Sequence, residues 1–129
     1  MRVRSQAIND LSSEHVRSLL DYNQTTGEFR WLARSSEYFK NPKAFRSWNA
    51  RYAGMIAGSI DSKGYCVIGI YRRHYLAHRL AWLITTGSWP KDEIDHENRI
   101  TADNRLCNLR DSSKSQNLCN SKRRSDNTT

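Results

Sequence analysis

The chain has 129 residues, 37% of them hydrophobic, a formal net charge of +8 and a pI near 9.8. That length fits one domain with a modest core, and the positive balance points to a polyanionic partner, above all nucleic acid. No stretch approaches 18 apolar residues and the start, MRVRSQAIND, has no apolar run, so neither a membrane span nor a signal peptide is expected.

Residues 1–8 read as loose. Ser12-Ser13-Glu14 is a helix start, with Val16, Leu19 and Leu20 supplying one apolar face and a stop expected near Asp21-Tyr22. Thr26-Gly27 turns the chain, and residues 28–32 alternate like a strand. Residues 34–51 are polar and basic, with Tyr38, Phe39, Phe45 and Trp48 interleaved, which suits a long loop or a short helix. Such aromatics can stack on bases or pin the segment to the core. Strands are expected over 52–60 and 65–71, joined by the turn Asp61-Ser62-Lys63-Gly64, with a tight Arg72-Arg73 connection into His74-Tyr75-Leu76. From Ala77 the spacing of Leu80, Leu83 and Ile84 is helical, Gly87 suits the left-handed position after the helix, and Pro90 prevents continuation. Ile94–His96 reads as a short strand, 97–107 as a loop and 108–110 as another strand. Asp111 or Ser112 then caps a helix of about ten residues ending near Lys122.

Charge divides unevenly along this order. Residues 1–90 carry 13 Lys/Arg against 6 Asp/Glu, whereas residues 91–129 carry 8 against 7. The excess in the middle of the chain makes Lys40, Lys43, Arg46, Arg51, Arg72, Arg73 and Arg79 candidates for phosphate contact. Arg105, Arg110, Lys114, Lys122, Arg123 and Arg124 form a second candidate set around the last expected helix. The three cysteines, Cys66, Cys107 and Cys119, are odd in number and lack C-x-x-C spacing, so reduced thiols in a cytoplasm are expected, with Cys107 and Cys119 as small buried hydrophobes.

The near-neutral stretch IDHENRITADNRLCNLRDSSKSQNLCN, residues 94–120, concentrates the chemistry. It holds five asparagines (Asn98, Asn104, Asn108, Asn117, Asn120) around one histidine, His96. An imidazole is suited to take a proton near neutral pH, Asp95 offers an anionic oxygen, and Asn117 a neutral one. Two oxygen ligands with open positions suit Mg²⁺ (or Mn²⁺), which retains waters and completes its shell with phosphate oxygens. Together these suggest phosphodiester hydrolysis with His96 as general base and Asp95 and Asn117 as metal ligands. Neighbours on a strand point to opposite faces, so Asp95 and His96 share one site only if the strand twists or ends there, or if the metal sits to one side. Of the other histidines, His15 and His74 suit exposed positions, whereas His78 suits either a phosphate contact or packing between helix and hairpin.

The order Asp95-His96, Asn108, Asn117, at intervals of 12 and 9, resembles the HNH nucleases, specifically the phage- and intron-borne homing endonuclease branch. Residues 75–82, Gly87 and Pro90, and the earlier Gly27-Glu28-Phe29-Arg30-Trp31, are also similar to that branch. The resemblance implies an α+β fold: a small antiparallel sheet with helices, followed by a C-terminal ββα-metal hairpin and helix. Residues 1–90 would be a DNA-contacting region, 91–122 the nuclease motif around one divalent cation, and 123–129 a basic disordered tail. It further implies that Asn108 hydrogen-bonds across the hairpin loop to hold His96, and that double-stranded DNA is the substrate of a monomer or homodimer in a bacterial host cell. The rival expectations are a DNA-binding module whose nuclease site has decayed, and an RNA-binding protein stacking bases on the 38–48 aromatics.

Overall fold

A computed structural model describes residues 11–111 and the backbone of 116–117. The expectations at residues 1–8, the tail 123–129, and the contacts of Lys114, Lys122, Arg123 and Arg124 lie outside the described residues. Within them the architecture is α+β, built from three small antiparallel sheets and three α-helices.

Helix α1 (Ser13–Leu19) starts where expected, because the Ser12 hydroxyl accepts the His15 N–H. It stops earlier than expected. Leu20–Tyr22 forms strand β1, which pairs with β2 (Phe29–Trp31) in the register Leu20↔Trp31 to Tyr22↔Phe29. The apolar residues Leu19 and Leu20 are therefore shared between a helix end and a strand start, and both are buried.

Residues 34–51 contain a true helix, α2 (Pro42–Tyr52), with Pro at its first turn and the Asn41 side chain accepting the Ala44 N–H. This helix takes up Tyr52, so the strand expected over 52–60 contracts to β3 (Ser59–Ile60). No residue of α2 is buried. It is held by aromatic contacts: Trp48 lies edge-on to Trp31 and tilted against Phe39 and Tyr52. The Arg34 guanidinium sits 4.1 Å from the Trp48 ring centre and 5.2 Å from that of Trp31. The Asn49 amide accepts the Arg34 N–H and donates to its carbonyl.

Strands β3, β4 (Cys66–Ile70) and β5 (Arg73–Leu76) form the second sheet. The Asp61–Gly64 turn forms as expected, its Asp61 carboxylate accepting the N–H groups of Lys63 and Tyr65. The β4–β5 turn consists of Tyr71 and Arg72, one residue earlier than the expected Arg72-Arg73, and both have positive φ, the geometry that matches strand twist in two-residue hairpins. The Tyr71 hydroxyl anchors this turn to His15 Nε2 at 2.8 Å.

Helix α3 (Ala77–Thr86) ends at Gly87, which takes the left-handed conformation, φ 88°. It packs on α1 and on β4 and β5. One core cluster joins Val16, Leu19, Phe29, Ile68, Ile70, Leu80 and Leu83 to Ile94 and Leu109. Ile94 and Leu109 belong to the third sheet, β6 (Ile94–His96), β7 (Leu109–Asp111) and β8 (Gln116–Asn117). Strand β8 corrects the expectation of a helix through this point. Ser and Asn have weak helix propensity, and the open edge of β7 offers backbone partners in the register Arg110↔Asn117 and Asp111↔Gln116. No helix among the described residues is long and apolar enough to cross a membrane.

Candidate active site

Strand β6 alternates as its sequence dictates. Ile94 and His96 are buried, while Asp95 between them is half-exposed. The strand ends at His96, whose carbonyl accepts the Arg99 N–H as the chain turns. His96 is only 8% exposed. Its Nε2 lies 2.9 Å from Asn104 Oδ1. The His78 ring, on α3, stands edge-on to it, centres 4.9 Å apart and planes at 81°. The Tyr65 ring flanks both imidazoles. His78 thus packs between helix and hairpin, with no hydrogen-bond partner for its buried Nδ1. Burial, then the neighbouring His96 and Arg79, push its pKa down to about 3, so this ring is neutral near pH 7.

The loop between β6 and β7 is ordered by its own side chains, and three of the five asparagines do the ordering. Asn108 is buried; its Oδ1 accepts the Asn98 N–H, its Nδ2 donates to the Asp103 carbonyl, and its own carbonyl accepts the Glu97 N–H. Asn98 Oδ1 accepts the Ile100 N–H while its Nδ2 donates to Asp103. Asp103 also receives both Nε and a terminal nitrogen of Arg105, at 2.8 and 2.7 Å. The Arg105 hydrogen bonds hold the Asp103 carboxyl well down, at about 2.

The same loop is clamped from outside. Thr101 Oγ1 donates to the Gly64 carbonyl in the β3–β4 turn, and the Leu106 N–H donates to the Gln24 carbonyl in the β1–β2 turn. The Tyr22 hydroxyl donates to the Asn104 carbonyl at 2.6 Å. Burial, with Asp103 nearby, pushes that phenol's pKa up, which keeps the hydroxyl a donor. Gly27, at φ +81°, lies so close that a Cβ there would stand 2.6 Å from the backbone of Asn104 and of Arg105.

Asp95 leaves β6 on the other face. It is paired in register with Arg110, whose Nε stands 3.9 Å from its carboxylate, longer than a hydrogen bond. Arg110 is in turn in register with Asn117, so Asp95, Arg110 and Asn117 occupy one row across the sheet. Of the four motif residues, then, His96 and Asn108 belong to the loop network and Asp95 and Asn117 to the sheet row. The residue bonded directly to His96 is Asn104, which sequence reasoning grouped with the other asparagines but gave no role. Its only sequence signal was a poor helix and strand former placed in the loop after His96.

The candidate phosphate-binding residues divide by environment. Lys40, Lys43, Arg46, Arg51, Arg72 and Arg73 are exposed. Arg79 is half-buried, its pKa lowered by burial against the opposing charge of Glu93. Arg110 is half-buried beside Asp95, and Arg105 is exposed but engaged by Asp103. The cysteines correct an expectation. Cys107 is exposed and disulfide-bonded, where a reduced, buried thiol was expected; an odd count excludes complete pairing but not a single bridge. Cys66 is a free, half-buried thiol whose pKa burial pushes up.

Residues 75–119 match the family model of the HNH endonucleases. The match runs from the end of β5 through β8 and takes in Asp95, His96, Asn108 and Asn117, together with His78 and Asn104. The match makes this segment similar to the HNH endonucleases. No curated protein and no solved structure matches the chain.

Proposed function

We propose that the chain is a DNA endonuclease of the HNH homing type that hydrolyses phosphodiester bonds in double-stranded DNA, nicking one strand or, as a dimer, cutting both. The observation that carries this reading is a buried histidine at a strand end inside the family-matched segment, hydrogen-bonded to Asn104 and packed against the His78 and Tyr65 rings. His96 is the general base: it accepts a proton from water as the water oxygen attacks phosphorus and the bond to the leaving oxygen breaks. Asn108 is a positioning residue that closes the loop. The exposed basic residues, Lys40, Lys43, Arg46 and Arg51 around α2 and Arg72 and Arg73 at the β4–β5 turn, neutralise phosphates and orient the duplex.

HNH nucleases generally depend on a divalent metal, and the donor chemistry here fits one. A cation held by one carboxylate and one amide oxygen would keep most of its waters, as Mg²⁺ does. Asp95 and Asn117 would hold one Mg²⁺ or Mn²⁺, the Asp95 carboxylate standing 3.9 Å from the Arg110 Nε, beyond hydrogen-bond distance. When bound, such an ion supplies charge stabilisation for the phosphate and the leaving oxygen.

The test is conversion of supercoiled plasmid to open circle with Mg²⁺ and with excess chelator, for the wild type and Asp95→Ala. Nicking that needs Mg²⁺ and is lost in Asp95→Ala is expected. A chain that binds plasmid but nicks under no condition would instead be a DNA-binding module with a silent site.

A further inference from the structure

Two polar atoms facing each other in a buried place constrain each other's protons. His96 Nε2 and Asn104 Oδ1 are 2.9 Å apart, and both residues are almost wholly buried, at 8% and 2% exposure. An amide oxygen can only accept a hydrogen bond, so the nitrogen facing it must carry the proton. A neutral imidazole has one N–H. With that proton on Nε2, the lone pair lies on Nδ1, the one ring nitrogen left to accept another proton. Were the amide's NH₂ end turned to the ring instead, Nε2 would be an occupied acceptor and Nδ1 would carry the hydrogen. The neutral imidazole would then have no free lone pair with which to take a proton from water.

We propose that Asn104 is the positioning residue that sets the tautomer of His96, holding the ring proton on Nε2 and leaving Nδ1 as the basic atom. This rests on the reading of His96 as general base. The surrounding contacts fit such a task, because Asn104 is fixed through its backbone by groups distant in sequence. Its carbonyl receives the Tyr22 hydroxyl, its peptide unit packs against Gly27, and the next turn is tied by the Leu106 N–H to Gln24. All of these anchors are long-range in sequence. They become intelligible if the amide must meet the imidazole at one distance and one angle. The β1–β2 hairpin, some 80 residues upstream, thereby acts on the base through the loop.

The experiment is ¹⁵N NMR of the full chain labelled at histidine, recorded where the imidazole is neutral, for wild type, Asn104→Ala and Asn104→Asp. The expected wild-type spectrum has a single His96 tautomer with a slowly exchanging Nε2–H. Asn104→Ala should lose that protected proton and mix the tautomers. Its single-turnover nicking rate should fall by about 10- to 100-fold, the usual scale for losing a group that orients a functional imidazole, with DNA affinity changed less than about twofold. Asn104→Asp, which keeps an acceptor oxygen in place, should retain the Nε2–H tautomer and recover much of the rate. A proton on Nδ1 in the wild type would overturn the proposal, and so would an unchanged, protected tautomer in a folded Asn104→Ala. The wild-type spectrum decides even if that variant does not fold. If His96→Ala nicks like the wild type, the general-base reading fails while the tautomer measurement stands on its own.

Discussion

The loop between β6 and β7 and the segment around α2 are both polar, and they are held in opposite ways. In the loop, directional hydrogen bonds from Asn98, Asn104 and Asn108 satisfy backbone and side chain alike, and outside groups clamp it at Gly64, Gln24 and Tyr22. Around α2 the cohesion comes mostly from rings and a guanidinium, with one pair of directional bonds between the Asn49 amide and the Arg34 backbone. At 100° per residue, Lys43, Arg46 and Arg51 fall on the arc opposite Phe45, Trp48, Asn49 and Tyr52. A base must stand at a fixed distance and angle from the atom it deprotonates, whereas a phosphate-binding face needs charge and some freedom to adapt. The two kinds of cohesion match the two tasks proposed for these regions.

Three perturbations probe that contrast, from the largest effect to the smallest. Asn108→Ala removes both side-chain bonds that close the loop and leaves the Asn98 N–H and the Asp103 carbonyl without those partners. A decrease of about 2–3 kcal/mol in unfolding free energy is expected by chemical denaturation. A decrease below about 0.5 kcal/mol would mean the loop is held by its outer clamps alone.

The second perturbation is acid. The folded-state pKa of His78, about 3, lies below its ordinary value of 6.5, so the unfolded chain binds the extra proton. Its neutral, buried state contributes stability that is complete above pH 6.5 and declines as pH falls from there toward 3. Asp103 contributes in a lower window, retained above its ordinary 3.8 and lost as pH falls toward about 2. Thermal midpoints should therefore begin to drop below pH 6.5, and His78→Phe should flatten that drop between about pH 6 and 4. An equally steep drop in the variant would assign the acid sensitivity elsewhere.

The third and smallest effect concerns α2. Replacing Lys43, Arg46 and Arg51 by Ala should leave the His96 environment unchanged and reduce the salt dependence of DNA binding. The log–log slope should fall by roughly one for each phosphate that is no longer neutralised. An unchanged slope would take this face out of the DNA interface.

How far the sequence discloses this arrangement depends on the range of the forces involved. Helix α3 was legible because its apolar spacing, Gly87 and Pro90 agree locally, and the β4–β5 hairpin because strand alternation flanks a tight turn. Strand β1 was not, since Leu20–Tyr22 becomes a strand only by meeting Phe29–Trp31. The extent of α2 depends on Trp31 and Arg34 receiving Trp48, pairings invisible to a local pattern. The capping signal at Asp111 or Ser112 misled at 116–117, where pairing with the edge of β7 prevails. At the site, the Asp-His/Asn/Asn spacing pointed to a segment that the HNH endonuclease match also covers, and alternation along β6 anticipated that Asp95 and His96 would diverge. The part played by Asn104 was hidden, because it follows from a loop closure and a tyrosine 82 positions away.

The central claim is that the imidazole of His96 takes the proton in phosphodiester hydrolysis. The most direct test is the single-turnover nicking rate of His96→Ala at saturating protein and Mg²⁺, measured beside its DNA-binding midpoint. The account predicts a rate lower by at least about 100-fold, the scale at which general-base catalysis contributes, with the binding midpoint nearly unmoved. A rate within about threefold of the wild type would contradict it.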